Sequence, residues 1–164
     1  MIVNRLQRTL AKLDGLPGPL RHAARNFALR RAVPLTGTAS LDFVALTPEH
    51  SEIRIANQRK VQNHIQGVHA AAMTLLAETA TGMVVGMNVR DDCLPLCKSL
   101  GVNFRKRATG ALRAEASLSD EQRALMAREP KGEVKVAVRV TDEAGIEPIE
   151  CEFVWAWIPK AKQA

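Results

Sequence analysis

Some kinds of residue are scarce in this chain of 164 residues, and their scarcity limits what the protein can be. There is no tyrosine, and aromatic residues make up 4% of the chain. Proteins that bind single-stranded nucleic acids stack bases on aromatic side chains, so the composition does not favour a nucleic-acid partner. Three cysteines, an odd number, do not build a disulfide framework.

Familiar catalytic and metal-binding motifs are also missing. The sequence has no Gly-x-Ser-x-Gly elbow, no phosphate-binding loop and no His-Glu-x-x-His. Cys93 and Cys97 have no second pair with matching spacing, so they do not form a zinc site. We therefore expect no metal and no cofactor. The N-terminal region lacks the continuous apolar core of a secretory signal, which predicts a cytoplasmic protein with reduced thiols.

Basic charge is concentrated at the N-terminus. Residues 1–38 hold seven Lys and Arg against one acidic residue, Asp14, which accounts for the whole net charge of +6. Transit peptides are also Arg-rich, but they are usually rich in serine, and the first serine here is Ser40. We interpret residues 1–38 as a basic helical appendage that docks on the domain or makes weak contact with a membrane.

Apolar spacing predicts two short helices in this appendage. The first has an apolar stripe three or four residues apart, at Val3, Leu6, Leu10 and Leu13, and the second runs from about residue 20 to 31. Glycines and prolines in residues 15–19 separate them. The second helix has one side made of Leu20, Ala24, Phe27 and Arg31.

From residue 39 onward apolar residues recur at every second position, which is typical of strands with one solvent-exposed face. The predicted inward positions are Ile53 and Ile55, then Leu112, Ala114, Ala116 and Leu118, then Val134, Val136, Val138 and Val140, and finally Ile149, Cys151, Phe153, Trp155 and Trp157. A turn at residues 142–145 joins the last two runs. These antiparallel strands need an apolar element to cover their inner face.

Residues 68–89 provide that element, because Glu78 is their only formally charged residue. A membrane span is disfavoured, since a carboxylate near its middle costs several kcal/mol in lipid. One long helix would have to contain Gly82 and Gly86, each at a cost of about 1 kcal/mol. We therefore predict a helix over residues 70–81, ending at Gly82, and a buried strand over residues 83–89. The predicted class is α+β, with a curved antiparallel sheet around one central helix.

Glu78 is the chemically unusual residue of this helix. Its carboxylate either faces solvent, forms an ion pair or takes part in catalysis. Asn63 and His69 precede the helix, and the backbone amides after His69 point out of the helix N-terminus. Such amides hold a developing oxyanion while a carboxylate attacks or activates water, which suits acyl transfer.

Residues 63–78 resemble the signature of hotdog-fold acyl-CoA thioesterases of the phenylacetyl-CoA thioesterase type. In that pattern an Asn or Gln lies six residues before the His that opens the central helix, and an Asp or Glu follows nine residues later. Asn63, His69 and Glu78 have both spacings. The resemblance covers about residues 39–157 and implies a hotdog domain over residues 39–164, after the appendage of residues 1–38.

The resemblance also implies roles for single residues. Glu78 is expected to be the nucleophile or general base that delivers water to the thioester carbonyl. The amide of Ala70 is expected to polarise that carbonyl, and Asn63 to position the water or the carbonyl. His69 is expected to be architectural, whereas His64 is interpreted as an ordinary histidine.

One difference from the family pattern concerns the start of the helix. The family usually has His-Gly-Gly where this chain has His69-Ala70-Ala71, and an alanine methyl narrows the approach to the backbone without removing the N–H. The sequence is also similar to an uncharacterised bacterial branch of the superfamily. Hydrolysis of acyl-CoA thioesters is the predicted function. The alternatives are a non-catalytic acyl-CoA or fatty-acyl binding protein, and a basic-arm protein that binds a membrane or nucleic acid.

Arg105, Lys106 and Arg107 follow one another at a predicted strand end. In hotdog thioesterases the matching strand end often lies near the CoA phosphates, so we expect these bases to bind them. A solvated strand end is the alternative, because neighbours on a strand face opposite sides.

We also expect a homodimer or a dimer of dimers. The predicted strand over residues 83–89 is too apolar for an open sheet edge, and pairing two such edges places two central helices side by side. In the families that the chain resembles, such pairing builds each site from both chains. Asn63 and Ala70 then act with the partner's Glu78.

Overall fold

A computed structural model describes residues 3–161, in which five α-helices accompany one six-stranded antiparallel sheet. Residues 1–2, at the start of the predicted appendage, and residues 162–164, at the end of the predicted hotdog domain, lie outside the described residues. In chain order the elements are α1 (Arg5–Ala11), α2 (Gly18–Ala32), α3 (Pro34–Thr38), β1 (Asp42–Leu46), β2 (His50–Ile55), α4 (Ala70–Gly86), β3 (Cys93–Phe104), β4 (Leu112–Ser117), α5 (Asp120–Arg128), β5 (Gly132–Asp142) and β6 (Ile149–Pro159). The strand order in the sheet is β1-β2-β4-β5-β6-β3.

The sheet curves around α4, which packs against β2, β3, β4, β5 and β6. The inward positions predicted from the period of two are buried, except that Val138 on β5 and Cys151 on β6 are half-buried. On the helix, Leu76, Ala77, Ala80 and Val84 are fully buried against them. The predicted α+β arrangement, one central helix covered by an antiparallel sheet, is therefore confirmed.

The predicted end of the central helix at Gly82 is wrong, and so is the predicted strand over residues 83–89. Helix α4 continues through Gly82 to Gly86, and the next strand begins only at Cys93. The reason is a close contact with β6: a Cβ atom at Gly82 would lie 2.7 Å from Cη2 of Trp155. Gly82 therefore allows the helix to approach the indole ring and does not end the helix.

Exchanging the two helical glycines for alanine tests this explanation. Gly82→Ala is expected to lower the free energy of unfolding by about 1–2 kcal/mol, because overpacking against Trp155 outweighs the better helix propensity of alanine. At Gly86 a Cβ would meet only Leu6 Cδ2 at 3.5 Å, an ordinary contact. Gly86→Ala is therefore expected to be neutral or stabilising by up to about 1 kcal/mol. Urea denaturation compares the two variants, and equal stabilities would contradict the explanation.

No helix within residues 3–161 combines the length and the apolar character that crossing a membrane requires.

Helix α1 covers the C-terminal end of α4. The side-chain amide of Asn4 donates to the carbonyl oxygens of Gly86 and Val89, both at 2.8 Å. Gln7 donates to the carbonyl oxygen of Met87 at 2.6 Å. These bonds dock α1 on the rest of the fold, while the division at residue 38 stays a prediction.

The two edges of the sheet differ. Side chains of α2 cover the β1 edge: Asn26 accepts from the Phe43 N–H at 2.9 Å, and Arg25 donates to the Val44 carbonyl at 2.7 Å. Arg30 also donates to this segment of the chain. Within residues 3–161, the outer side of β3 has no strand partner. An uncovered edge of 12 residues is a ready template for pairing with another chain.

Candidate functional site

The start of α4 presents a free backbone donor. His69 is the N-cap, and its Nδ1 atom accepts from the Ala71 N–H at 3.0 Å. The His69 carbonyl accepts from the N–H groups of Ala72 and Met73. Among the described residues nothing accepts from the Ala70 N–H. One of the donors that every helix leaves unpaired at its N-terminus is therefore available to a ligand.

The loop before the helix is held by Asn63. Its Oδ1 atom accepts from the N–H groups of Ile65 and Gly67, each at 3.1 Å. The loop ends where the His69 N–H bonds to the Val61 carbonyl at 2.8 Å, which fixes the loop beside the helix start. In the part of the chain that the structure describes, the side-chain NH₂ of Asn63 has no acceptor. The structure thus brings Asn63, His69 and Ala70 together.

Glu78 lies apart from this group in the same chain. It is eight residues after Ala70, which places it about 12 Å further along the helix axis and turned by about 80° around it. The side chain is half-buried, and within residues 3–161 no Lys, Arg or His pairs with it. Burial raises the pKa of Glu78 above its ordinary value of 4.5. An unpaired carboxylate with a raised pKa is typical of a functional site.

The surroundings of Glu78 include a thiol that the sequence analysis did not connect with it. Burial, and then the charge of the Glu78 carboxylate, raise the pKa of Cys97 on β3. Burial raises the pKa of Cys151, on the neighbouring strand β6, to about 11. Both thiols are therefore neutral, and that of Cys97 contributes weakly polar surface near the carboxylate. A regular alternation along β3 would have revealed Cys97, but a bulge between Cys97 and Ser99 interrupts it.

The described part of the chain contains no group of three His, Cys, Asp or Glu side chains that could hold a metal ion. The thiol of Cys93, for example, is buried and donates a hydrogen bond to the Pro130 carbonyl at 3.1 Å. His64 is exposed on the loop before α4.

The three consecutive bases after β3 are all exposed but differ in their contacts. Arg105 forms an ion pair with Glu150. Arg107 donates to the Ile65 carbonyl at 3.2 Å, which places it beside the loop that Asn63 holds. Lys106 has no partner among residues 3–161. The Lys106 side chain is therefore free to meet an anion, and Arg107 lies near the start of α4 with only a neutral carbonyl as its partner, whereas Arg105 already has a carboxylate.

A curved antiparallel sheet around one central helix is the hotdog fold, and solved structures of that type are similar to this chain. A protein of unknown function from Pseudomonas aeruginosa, described as a probable thioesterase, has a TM-score of 0.74 and 23% identity over 88% of this chain and 97% of its own. A thioesterase from Haemophilus influenzae has a TM-score of 0.62 and 10% identity over 79% and 87%. A variant of a thioesterase enzyme from Staphylococcus aureus has a TM-score of 0.67 and 16% identity over 77% and 100%. At these identities the similarity shows the fold.

The family follows from the sequence. The family described as domain of unknown function DUF4442 matches residues 21–158, and the chain belongs to this family. The matched range begins within α2, so it includes part of the N-terminal helices as well as the sheet and α4. No curated protein matches the chain.

Proposed function

We propose that this protein hydrolyses acyl-CoA thioesters, with Glu78 as the nucleophile or general base and the Ala70 N–H as the donor to the thioester oxygen. The observation that carries the proposal is the unpaired, half-buried carboxylate of Glu78, with its raised pKa, on a helix whose N-terminus keeps a free amide. The spacing shared with phenylacetyl-CoA thioesterases and the similarity to structures described as thioesterases support it.

The site requires two chains. Within one chain, Ala70 and Glu78 are about 12 Å apart along the helix, too far to act on one carbonyl group. If two copies pair through the open β3 edge, their α4 helices lie antiparallel and side by side, which brings the Ala70 amide of one copy near the partner's Glu78. Leu100 and Phe104 on β3 are exposed in a single chain, and this pairing would cover them. The pairing edge is therefore β3 and not the strand expected over residues 83–89.

The chemistry follows from these positions. As a general base, the carboxylate of Glu78 takes a proton from water while the water oxygen bonds to the thioester carbon. The Ala70 N–H stabilises the negative charge that develops on the carbonyl oxygen. The C–S bond then breaks, and the CoA thiolate leaves and takes up a proton. In the nucleophilic variant the carboxylate attacks the carbon directly, CoA leaves, and water hydrolyses the resulting anhydride.

Asn63 and His69 support this arrangement in different ways. The free NH₂ of Asn63 is available to orient the water or the carbonyl group, because its oxygen is already used by the loop. His69 holds the first turn of α4 through its ring nitrogen and so fixes the direction of the Ala70 N–H. The methyl groups of Ala70 and Ala71 narrow the approach without removing that donor.

A panel of acyl-CoA substrates of different chain lengths, with aryl thioesters included, tests the proposal by the release of free thiol. Binding of a thioether analogue that cannot be hydrolysed is measured in parallel by calorimetry. The proposal predicts thiol release above the rate in buffer for at least one acyl group. Tight binding of the analogue without any thiol release would instead identify a non-catalytic acyl-CoA-binding protein.

The basic residues after β3 give a prediction about CoA recognition. Lys106→Gln and Arg107→Gln are each expected to raise KM for acyl-CoA by roughly five- to tenfold, because each removes a charge-assisted bond to a CoA phosphate. Acyl-pantetheine substrates, which lack those phosphates, are expected to keep their KM. Arg105→Gln is the matched control and should change KM less, since Arg105 is already paired with Glu150. Equal increases for both substrate types would contradict a role in binding the phosphates.

A further inference from the structure

Helix α2 places mostly polar side chains against the protein, whereas an ordinary surface helix places its apolar side there. Its polar side chains face the protein: Asn26 is buried, and Arg25 and Arg30 are half-buried with hydrogen bonds to the β1 segment. Two of its three large apolar side chains face outward, with Leu20 exposed to 55% and Phe27 to 72%, whereas Leu29 is buried in the core. A helix with this pattern normally places the apolar side against a partner.

The exposed apolar surface continues beyond α2. Val33, which follows α2, and Leu35 in α3 are also exposed. We call these two exposed side chains, together with Leu20 and Phe27, the outer α2–α3 face. Phe27 has the largest exposed fraction of any large apolar side chain among residues 3–161. A shallow groove of about 640 Å³ runs beside it, lined by Phe27, Arg31 and Pro34 among others.

The charge around this face is mainly positive, and the carboxylate that lines the groove, Asp42, lies 2.8 Å from His22 Nε2. Residues 15–41 contain four arginines and no acidic residue. Arg31 follows Phe27 by one helical turn, so it projects from the same side, and within the described residues it has no partner. Arg21 lies near Asp14, at 3.8 Å, and is otherwise exposed. The exposed apolar side chains of the outer α2–α3 face thus have the exposed cations Arg21 and Arg31 beside them.

The charge distinguishes the candidate occupants. Two copies of this chain that paired through the outer α2–α3 face would bring two mainly positive surfaces together, and the carboxylate beside the groove, Asp42, already lies against His22 of its own chain. An anionic lipid surface has no such conflict. It accepts apolar side chains at the boundary of the acyl chains and arginines at the phosphate groups.

We propose that the outer α2–α3 face docks on an anionic membrane. Leu20, Phe27, Val33 and Leu35 insert at the boundary between headgroups and acyl chains, and Arg21 and Arg31 meet the phosphates. The 15 residues of α2 lie parallel to the membrane surface. The attachment is peripheral. It uses the β1 side of the sheet and leaves the β3 edge free for pairing of two copies.

The test is co-sedimentation of the full chain with vesicles of phosphatidylcholine and phosphatidylglycerol in equal amounts, and with vesicles of phosphatidylcholine alone. The wild type is expected to sediment with the anionic vesicles, less so at high salt. Phe27→Ser is expected to lower the partition coefficient by roughly tenfold, and Arg31→Gln by roughly fivefold. Both side chains are exposed, so the variants should keep the wild-type melting temperature.

Two matched variants serve as controls. Ile146→Ser removes another exposed apolar side chain, in the turn between β5 and β6, and Lys131→Gln removes another exposed charge. Neither should change vesicle binding. Equal binding of Phe27→Ser and Ile146→Ser, or sedimentation that does not depend on the anionic lipid, would overturn the proposal. A lack of vesicle binding together with dissociation of an oligomer by Phe27→Ser would show instead that the face pairs two copies.

Discussion

Replacing Glu78 with glutamine is expected to lower kcat for acyl-CoA hydrolysis by about 10²–10⁴-fold, because a base or nucleophile of the reaction is lost while the side chain keeps its shape. KM should change little, since the amide still fills the same space. The measurement is steady-state thiol release by wild type and variant with the best substrate of the panel. A variant that retains more than about a tenth of the wild-type kcat would remove Glu78 from the chemistry.

The raised pKa of Glu78 gives the same variant two further expected properties. Glu78 must be ionised to act, so the wild-type kcat should rise with pH through a pKa above 4.5, and the variant should lose this dependence. For stability the sign is reversed. The folded protein holds the proton more tightly than the unfolded chain, so the wild type loses stability as the pH rises through the raised pKa. At pH 8 the glutamine variant should therefore melt at the same temperature as the wild type or higher. A lower melting temperature would mean that lost activity reflects misfolding.

Mixing two inactive variants is expected to restore activity if each site uses both chains. Glu78→Gln and Asn63→Asp homodimers should both be nearly inactive. Asn63→Asp keeps the oxygen that accepts from Ile65 and Gly67 and replaces the NH₂ donor with a second, negatively charged acceptor oxygen. In a heterodimer one site has a defect in both groups, and the other site is intact. Random co-refolding of equal amounts should therefore recover about one quarter of the wild-type activity.

The mixing experiment has a clear contrary outcome. If Asn63 and Glu78 act within one chain, every site in the heterodimer carries one defect, and mixing restores nothing. An active monomer on a sizing column would contradict the two-chain site equally. A double variant that carries both substitutions in one chain, mixed with the wild type, checks that subunits exchange. Its heterodimers with the wild type then have one defect in each site of a two-chain arrangement.

The sequence predicted the strands well wherever a single face is buried. On β6, residues from Ile149 to Trp157 alternate strictly, and the inward ones pack on α4. Strand β3 was not predicted as a unit. It lies at the edge, has exposed leucines at Leu94 and Leu96 on the face away from α4, and contains a bulge that shifts its register. Local pattern is a weak guide for such a strand, because neither of its faces is fully buried.

The length of α4 was mispredicted because a glycine in a helix either ends the helix or allows a close approach to a neighbouring side chain. Gly82 was interpreted as the end of the helix, which is its commonest role. The contact that explains it is made by Trp155, more than 70 residues away in sequence, so no local pattern could indicate it. The spacing of Asn63, His69 and Glu78 was visible in the sequence, whereas the position of Cys97 beside the carboxylate required the structure.

The orientation of α2 was also beyond the sequence. Leu20, Ala24, Phe27 and Arg31 were correctly placed on one side of a helix. An apolar side is normally expected to face the core, yet in α2 the opposite, polar side faces β1 and pairs with its edge. The need to cover an open strand edge decides this orientation, and that need appears only once the strand order is known.

A crystal structure with an acyl-CoA analogue tests the central claim most directly. In the analogue a CH₂ group replaces the thioester sulfur, so the carbonyl group is kept and cannot be hydrolysed. The account predicts that its carbonyl oxygen lies about 2.7–3.1 Å from the Ala70 N–H of one chain. The carbonyl carbon should lie within about 3.5 Å of the partner's Glu78, or one water molecule away from it. An analogue bound with its carbonyl group remote from either residue would contradict the account.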